Sequence, residues 1–154
     1  MKNNIRIVNE TLKEFKYSNR ARRYDEKRIN VGKIKNPGAY FRFTGACGDA
    51  MEIYLKIKSD VIIDARFQTT GCIAARASGS ALTKMIKGKT LKQAEEIKPE
   101  VIINHLGGLP PLKVHCACLA KVTLEKAIEQ YRKMRKKKPK LKRRSYEETT
   151  RSKC

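Results

Sequence analysis

Apolar and polar side chains alternate along residues 51–70, which is the pattern of half-buried β-strands. Ser59 and Asp60 interrupt the alternation and predict a two-residue turn, so this stretch should form a β-hairpin. Residues 39–43 supply a further short strand next to it. The pattern therefore predicts a three-stranded antiparallel sheet in the middle of the chain.

Apolar residues take up helical spacing on both sides of this sheet. Near the N-terminus they recur at steps of three and four, at Ile5, Val8, Leu12 and Phe15. Residues 17–29 are rich in arginine and poor in apolar side chains, and we interpret them as a helix end or a mobile arm. After the sheet, helices are predicted over residues 72–87, 90–97 (with Thr90 as the N-cap) and 99–106.

A final helix is predicted from about Ala117 to Lys138, with one apolar stripe facing the core up to Tyr131. Helices after a run of antiparallel strands indicate an α+β fold, in which helices pack against a three-stranded antiparallel sheet. The chain has 154 residues, which suits one domain.

The net charge of +21 lies mostly at the ends of the chain. Residues 1–37 contribute +7, residues 38–131 contribute +4 and residues 132–154 contribute +10. We therefore expect an N-terminal extension over residues 1–16, a folded domain over 17–131 and a disordered basic tail over 132–154. Such a tail is most often a solvated extension, and contact with nucleic acid or an acidic partner is the alternative.

The cysteine content indicates a reducing compartment. No secretory signal or membrane span is expected, because charge interrupts the first apolar residues. The chain has five cysteines, an odd number, and we expect it to be cytoplasmic. In that compartment cysteines more often act as ligands or nucleophiles than form disulfides.

The segment Leu109–Cys118 carries the most distinctive chemistry. Pro110 and Pro111 stop the preceding structure, so His115 and Cys116 should lie at or near the N-terminus of the final helix. The positive end of a helix dipole lowers the pKa of a thiol, so we expect more thiolate at Cys116. Neighbouring imidazole and thiolate groups suit zinc, iron or an iron–sulfur cluster.

Two other cysteines occur at similar structural transitions. Cys47 lies in a glycine-rich loop two residues before Asp49, and Cys72 lies where a strand gives way to a helix. If the hairpin and the final helix pack together, these residues should meet His115 and Cys116 at one end of the domain. Three thiolates with one carboxylate or imidazole give a complete ligand shell with one weaker corner, which favours release of a cluster.

These motifs resemble the U-type iron–sulfur cluster assembly scaffolds, the IscU family that includes the N-terminal domain of NifU. The resemblance covers about residues 17–131. It rests on five runs that occur in the family's order: residues 45–49, residues 67–75 with 77–80, residues 87–91, Gly107-Gly108 and residues 109–116. Arg76 is a departure, because the family has an apolar residue there, and we expect it to pair with the Cys72 thiolate.

The resemblance implies a scaffold without catalytic turnover. On it, [2Fe–2S] clusters would be assembled from iron and desulfurase-derived sulfur and then passed to apo-proteins. It implies Cys47, Cys72 and Cys116 as cluster ligands, Asp49 at the labile corner and His115 as an alternative ligand. A cysteine desulfurase would deliver persulfide sulfur, with Cys116 as the first choice of acceptor. Leu109–Lys113 resembles the segment that an Hsp70-type chaperone grips.

Two other interpretations use the same residues or the same charge. One is a zinc-stabilised binding module, since zinc accepts Cys, His and Asp ligands, and zinc is also an expectation for the isolated scaffold. The other is a basic nucleic-acid-binding module on the same fold. Cys118 lies two residues past Cys116 and is expected to pack in the core, and Cys154 has no expected role.

Overall fold

A three-stranded antiparallel sheet forms the centre of the computed structural model, which describes residues 16–137. Its strands lie in the order of the sequence: β1 (Ala39–Thr44), β2 (Ala50–Lys58) and β3 (Val61–Thr69). Ser59 and Asp60 both have positive φ, 51° and 60°, as a tight hairpin turn requires. The predicted hairpin, its third strand and the α+β fold class are confirmed.

Residues 16–137 contain five helices: α1 (Asn19–Lys27), α2 (Ile73–Ile86), α3 (Leu91–Glu95), α4 (Pro99–His105) and α5 (Val114–Lys137), with a 3-10 turn at Pro111–Lys113. Thr90 caps α3 as predicted, and a capping box with Gln93 satisfies two backbone N–H groups. No helix among residues 16–137 combines the length and the apolar character needed to cross a bilayer.

The core lies between one face of the sheet and helices α2 and α5. Phe41, Phe43 and Phe67 are fully buried on that face. Gly79 permits the close packing of α2, because a Cβ there would lie 2.4 Å from ring carbons of Phe67. The backbone of α2 therefore packs directly against the Phe67 ring of the sheet. This contact also fixes the position of the N-terminal end of α2.

The interpretation of residues 17–29 as a helix end or mobile arm is wrong, because residues 19–27 form a docked helix, α1. Ser18 caps it by accepting a hydrogen bond from the Ala21 N–H at 2.9 Å. Ala21 and Tyr24 are buried against the rest of the domain. Few apolar residues are enough here because polar contacts to distant segments hold the helix in place.

The predicted disordered tail begins too early, because α5 continues through residues 132–137. Arg132 donates to Glu95 at 2.6 Å and Arg135 donates to Asp60 at 2.8 Å. These ion pairs anchor a part of the helix that has lost its apolar stripe. Residues 138–154 lie outside the described residues, as does the helix predicted over residues 5–15.

The outer edge of β3 is hydrogen-bonded at two places. The Phe67 N–H donates to the Asn30 carbonyl at 3.0 Å, and the Gly32 N–H donates to the Phe67 carbonyl at 2.9 Å. Near the other end, Ile62 exchanges hydrogen bonds with Gly88 and Lys89 at 2.7 and 2.9 Å. Segments from before and after the sheet thus pair with this edge near both of its ends, at Ile62 and Phe67.

Candidate functional site

The loop between β1 and β2 presents Cys47 and Asp49. The Gly45 N–H donates to the Asp49 carbonyl at 2.9 Å, and the Gly48 N–H donates to the Gly45 carbonyl at 3.0 Å. Gly48 has φ +89°, a conformation that suits glycine. These bonds fold the loop tightly and leave Cys47 exposed at its tip.

The junction between β3 and α2 is tied to the same loop. The Ala50 N–H donates to Thr70 Oγ1 at 3.0 Å, and the Thr70 N–H donates to the Ala50 carbonyl at 3.1 Å. Cys72 follows in extended conformation as the N-cap residue of α2 and is half-buried. The strand pairing therefore places Cys72 beside the loop that carries Asp49.

The third component comes from the start of α5. His115 and Cys116 lie in the first turn of this helix, as predicted, although the helix begins at Val114 and not near Ala117. Cys116 is fully buried, and its Sγ lies 3.6 Å from His115 Nε2. The helix thus directs one thiol inward and holds an imidazole next to it.

These three elements bring all five predicted site residues together. The ligand atoms of Asp49, Cys72 and Cys116 lie within 4.8 Å of one another, and so do those of Cys47, Asp49 and His115. Asp49 belongs to both sets and joins them. Two sulfur ligands of one tetrahedral metal ion are about 3.8 Å apart, so a small contraction would let these side chains share an ion.

The Cys72 thiol has a lowered pKa, although its burial works in the opposite direction. Four groups oppose the effect of burial: the backbone N–H groups of Ala75 and Ala74, the Tyr17 hydroxyl, and the charge of Lys113. The Tyr17 hydroxyl lies 3.9 Å from Cys72 Sγ. Burial and the adjacent Cys72 thiol raise the pKa of Tyr17 itself to about 12, so it remains a donor.

The expectation of a lowered pKa at Cys116 is wrong. Burial and the neighbouring Cys72 raise the pKa of the Cys116 thiol to about 12. The helix N-terminus does favour a thiolate, but the loss of hydration in a fully buried position is the larger effect. Of the two thiols, Cys72 therefore ionises at the lower pH.

Two smaller expectations are also corrected. Arg76 forms its direct ion pair with Asp25, with Nε 2.5 Å from Oδ1, and the Cys72 thiolate acts on it only through its charge. Cys118 is half-buried and is not a core residue. It belongs to neither candidate ligand set found among residues 16–137.

Sequence reasoning missed Tyr17 and Lys113 as neighbours of the site. Both act on Cys72, the first by a hydrogen bond and the second by its charge. Lys113 lies three residues before Cys116, so the predicted start of the final helix could have shown that Lys113 is near the site. Tyr17 lies 55 residues from Cys72, and its position depends on the docking of α1, which the apolar pattern does not indicate.

The candidate ligands are soft thiols together with one hard ligand, the carboxylate of Asp49. Three thiols suit iron and zinc alike, and an added carboxylate or imidazole completes four-coordination. Thiolates from three separate elements can hold a metal centre only while those elements remain packed. Cys47 is exposed to solvent, so another protein can reach the site from that side.

Comparison with known proteins gives a consistent set of relatives. The family described as "NifU-like N terminal domain" matches residues 16–138. Iron–sulfur cluster assembly protein IscU of Plasmodium falciparum is 43% identical over 120 residues, which cover 75% of this chain and 74% of that protein. The IscU scaffold protein of Rickettsia prowazekii is 40% identical over 127 residues, which cover 79% of this chain and 96% of that protein.

A solved structure shows the same fold. The N-terminal NifU-like protein of Brucella abortus aligns with a TM-score of 0.64 and 17% sequence identity. The alignment covers 79% of this chain and 97% of that one. At this identity the likeness concerns the fold alone.

Proposed function

The chain belongs to the family of NifU-like N-terminal domains, and on that premise we propose that it is a scaffold for iron–sulfur cluster assembly. Clusters would be built on it from iron and sulfur and then passed to apo-proteins. In this role the chain holds its cargo and has no turnover of its own. The named IscU relatives support a scaffold over an enzyme.

One observation carries the proposal: Asp49 lies in two overlapping groups of ligand atoms, one with Cys72 and Cys116 and the other with Cys47 and His115. Cys47, Cys72 and Cys116 would be the cluster ligands, with Asp49 as the fourth and His115 as its alternative. Carboxylate oxygen binds iron less strongly than thiolate does. Asp49 would therefore be the corner at which a cluster is most easily released.

We propose [2Fe–2S] as the cargo and a cysteine desulfurase as the sulfur donor. Cys116 is the proposed acceptor of persulfide sulfur. Its thiolate would attack the outer sulfur of the desulfurase persulfide, and the desulfurase cysteine would leave as a thiolate. Because Cys116 is fully buried, the segment around it must open for this transfer. His115 Nε2 lies 3.6 Å from the Cys116 sulfur and is placed to take the thiol proton. Iron and electrons from other donors would complete the cluster.

The segment Leu109–Lys113 is the proposed contact for an Hsp70-type chaperone. Leu112 has 67% of its surface exposed, although it is a large apolar residue. Pro110 and Pro111 precede it and keep the local backbone from becoming regular helix. An accessible apolar side chain beside the site is what a chaperone that assists cluster release would need.

Zinc is the proposed occupant when iron is absent, because the same donors fit its tetrahedral geometry. A separate zinc-binding or nucleic-acid-binding function is not favoured, since the relatives are named as cluster assembly scaffolds. All four cysteines among the described residues are free. We therefore propose a reducing compartment, with the cytoplasm as the first choice.

The experiment is anaerobic reconstitution with iron, cysteine and a cysteine desulfurase, followed by visible absorption and iron and sulfide analysis. Wild-type protein should turn brown with equal amounts of iron and sulfide. Cys47→Ala, Cys72→Ala and Cys116→Ala should each lose the cluster. Cys118→Ala is the matched control and should keep it, because Cys118 lies outside both ligand sets. A colourless wild-type protein that holds only zinc would overturn the proposal.

A further inference from the structure

Arg76 connects helix α1 to the backbone beside the site. Its Nε and Nη2 lie 2.5 and 3.3 Å from the two carboxylate oxygens of Asp25, in a forked ion pair. Its Nη1 donates to the carbonyl of Gly71 at 3.1 Å. One guanidinium therefore contacts both α1 and the residue that immediately precedes Cys72.

The ion pair between Arg76 and Asp25 should be stronger than an ordinary surface ion pair, because it is partly buried and forked. The Asp25 side chain retains 18% of its exposure and that of Arg76 retains 43%. Two parallel charge-assisted hydrogen bonds to one carboxylate fix the plane of the guanidinium. That plane in turn directs the remaining nitrogen at the Gly71 carbonyl, which a lysine side chain could not do at the same time.

We propose that Arg76 is a positioning residue that couples the docking of α1 to the placement of Cys72. The proposal rests on the proposed function, because Cys72 is one of the cluster ligands there. While α1 is docked, Arg76 fixes the Gly71 carbonyl and so the backbone that carries the Cys72 thiol. The docked α1 also keeps Tyr17, which lies just before it, next to the Cys72 sulfur.

Helix α1 is held along its length, and Arg76 contributes near its last turn. Near its start, Ser18 donates to the Leu106 carbonyl, and Arg20 donates to the His105 carbonyl at 3.0 Å. Near its last turn, Arg76 pairs with Asp25, beside the 2.6 Å bond of Tyr24 to His105. Loss of Arg76 should therefore loosen the last turn of α1, while the bond of Tyr24 remains, and free the Gly71–Cys72 backbone together with it.

The first test is hydrogen exchange of the metal-free full-length protein, followed by mass spectrometry. Arg76→Met keeps the length of the side chain and removes its charge and donors. Amides of α1 and of residues 71–75 should exchange about tenfold faster than in the wild type. Arg66→Met is the matched control, because Arg66 also pairs with an aspartate, Asp64, at 3.6 Å, and both of these residues lie on β3.

Two further variants separate the contacts of Arg76. Asp25→Asn breaks the ion pair and should speed exchange in α1. Arg76→Lys keeps the charge for Asp25 but cannot also bind Gly71. It should therefore leave α1 close to wild type and speed exchange only in residues 71–75.

The second test measures the lifetime of a reconstituted cluster in the presence of an iron chelator. Cluster loss should be about five- to tenfold faster in Arg76→Met and in Arg76→Lys, and unchanged in Arg66→Met. Urea unfolding of each metal-free variant serves to separate this effect from a general loss of stability. A lifetime that follows global stability alone, or that is restored fully by lysine, contradicts the coupling.

The outcomes distinguish this proposal from the function on which it rests. If wild-type protein forms no cluster, the scaffold function fails, and the exchange data still decide whether Arg76 links α1 to residues 71–75. If Arg76→Met leaves exchange in both segments unchanged, the proposed coupling is wrong even when clusters form normally.

Discussion

Gly71 lies so close to Ala75 that a Cβ atom at position 71 would stand 2.5 Å from the Ala75 Cβ. The same atom would be 3.2 Å from the Asp49 carboxylate oxygen Oδ2. Atoms of Ala75 and Asp49 therefore already fill the space between the β1–β2 loop and the start of α2, which leaves no room for a side chain at position 71. The approach of Asp49 to Cys72 depends on this space.

Gly71→Ala should consequently disturb both fold and site. Relief of the overlap requires the backbone before Cys72 to move, which should cost about 1–3 kcal/mol of unfolding free energy. Reconstituted cluster should also fall well below the wild-type amount. Gly45→Ala is the control from the same site, because its added Cβ meets nothing closer than 3.4 Å. Urea unfolding and visible absorption measure the two effects, and equal behaviour of the two variants would refute the explanation.

Tyr17→Phe should reduce the reactivity of Cys72 in the metal-free protein. The Tyr17 hydroxyl is one of the groups that lower the pKa of the Cys72 thiol, and phenylalanine keeps the ring but loses that donor. The pKa should rise towards the ordinary value of 9.0, and alkylation at pH 7.5 should slow by about twofold. Peptide mass spectrometry after iodoacetamide treatment gives the rate, with exposed Cys47 as the internal reference. A faster reaction at Cys72 would show that Tyr17 acts mainly as a cover.

His105 should make the fold less stable in mild acid. Burial, together with the charges of Arg20 and Lys84, lowers its pKa below the ordinary value of 6.5. The unfolded chain therefore binds a proton at a higher pH than the folded chain does, so stability falls as the pH drops from about 6.5 through the folded-state pKa. His105→Gln should flatten this slope in urea unfolding between pH 7.5 and pH 5.

Tyr24→Phe tests whether the slope at His105 comes from burial and charge. Tyr24 shares a 2.6 Å hydrogen bond with His105 Nε2, but it is not among the groups that lower the pKa. The variant should retain the acid-dependent loss of stability while it lowers stability at all pH values. An unchanged slope in His105→Gln would mean that other groups cause the pH dependence.

Asp49→Ala should slow the release of a cluster to an apo-acceptor. His115 shares a ligand set with Asp49 and Cys47, so its imidazole is placed to take the vacant corner. Imidazole is a better ligand for iron than carboxylate is, and a cluster held that way should leave more slowly. Transfer to an apo-ferredoxin, followed by circular dichroism, gives the rate. Faster transfer from the variant would count against Asp49 as the labile corner.

The parts of the fold with repetitive apolar spacing were predictable from the sequence. Alternation over residues 51–70 predicts the hairpin because one face of each strand is buried. Successive side chains point to opposite faces, so every second residue is apolar. The approach of Asp49 to Cys72 and Cys116, and to Cys47 and His115, agrees with their predicted places at element boundaries at one end of the domain.

The docking of α1 could not be predicted in the same way. Its contacts are polar and join residues far apart in sequence, such as Asp25 with Arg76 and Tyr24 with His105. No local pattern records such pairs. The prediction of a lowered pKa at Cys116 was wrong for a related reason. The start of a helix can be inferred from nearby residues, whereas the depth of burial depends on the whole fold.

The covered edge of β3 has a consequence for how this protein meets others. With Phe67 bonded to residues 30–32 and Ile62 bonded to residues 88–89, a foreign strand cannot pair along the full length of β3 on that side. Proteins that dock there must rely more on side chains and surface shape than on extension of the sheet. The two pairings thereby guard this edge against strand-to-strand association with other chains.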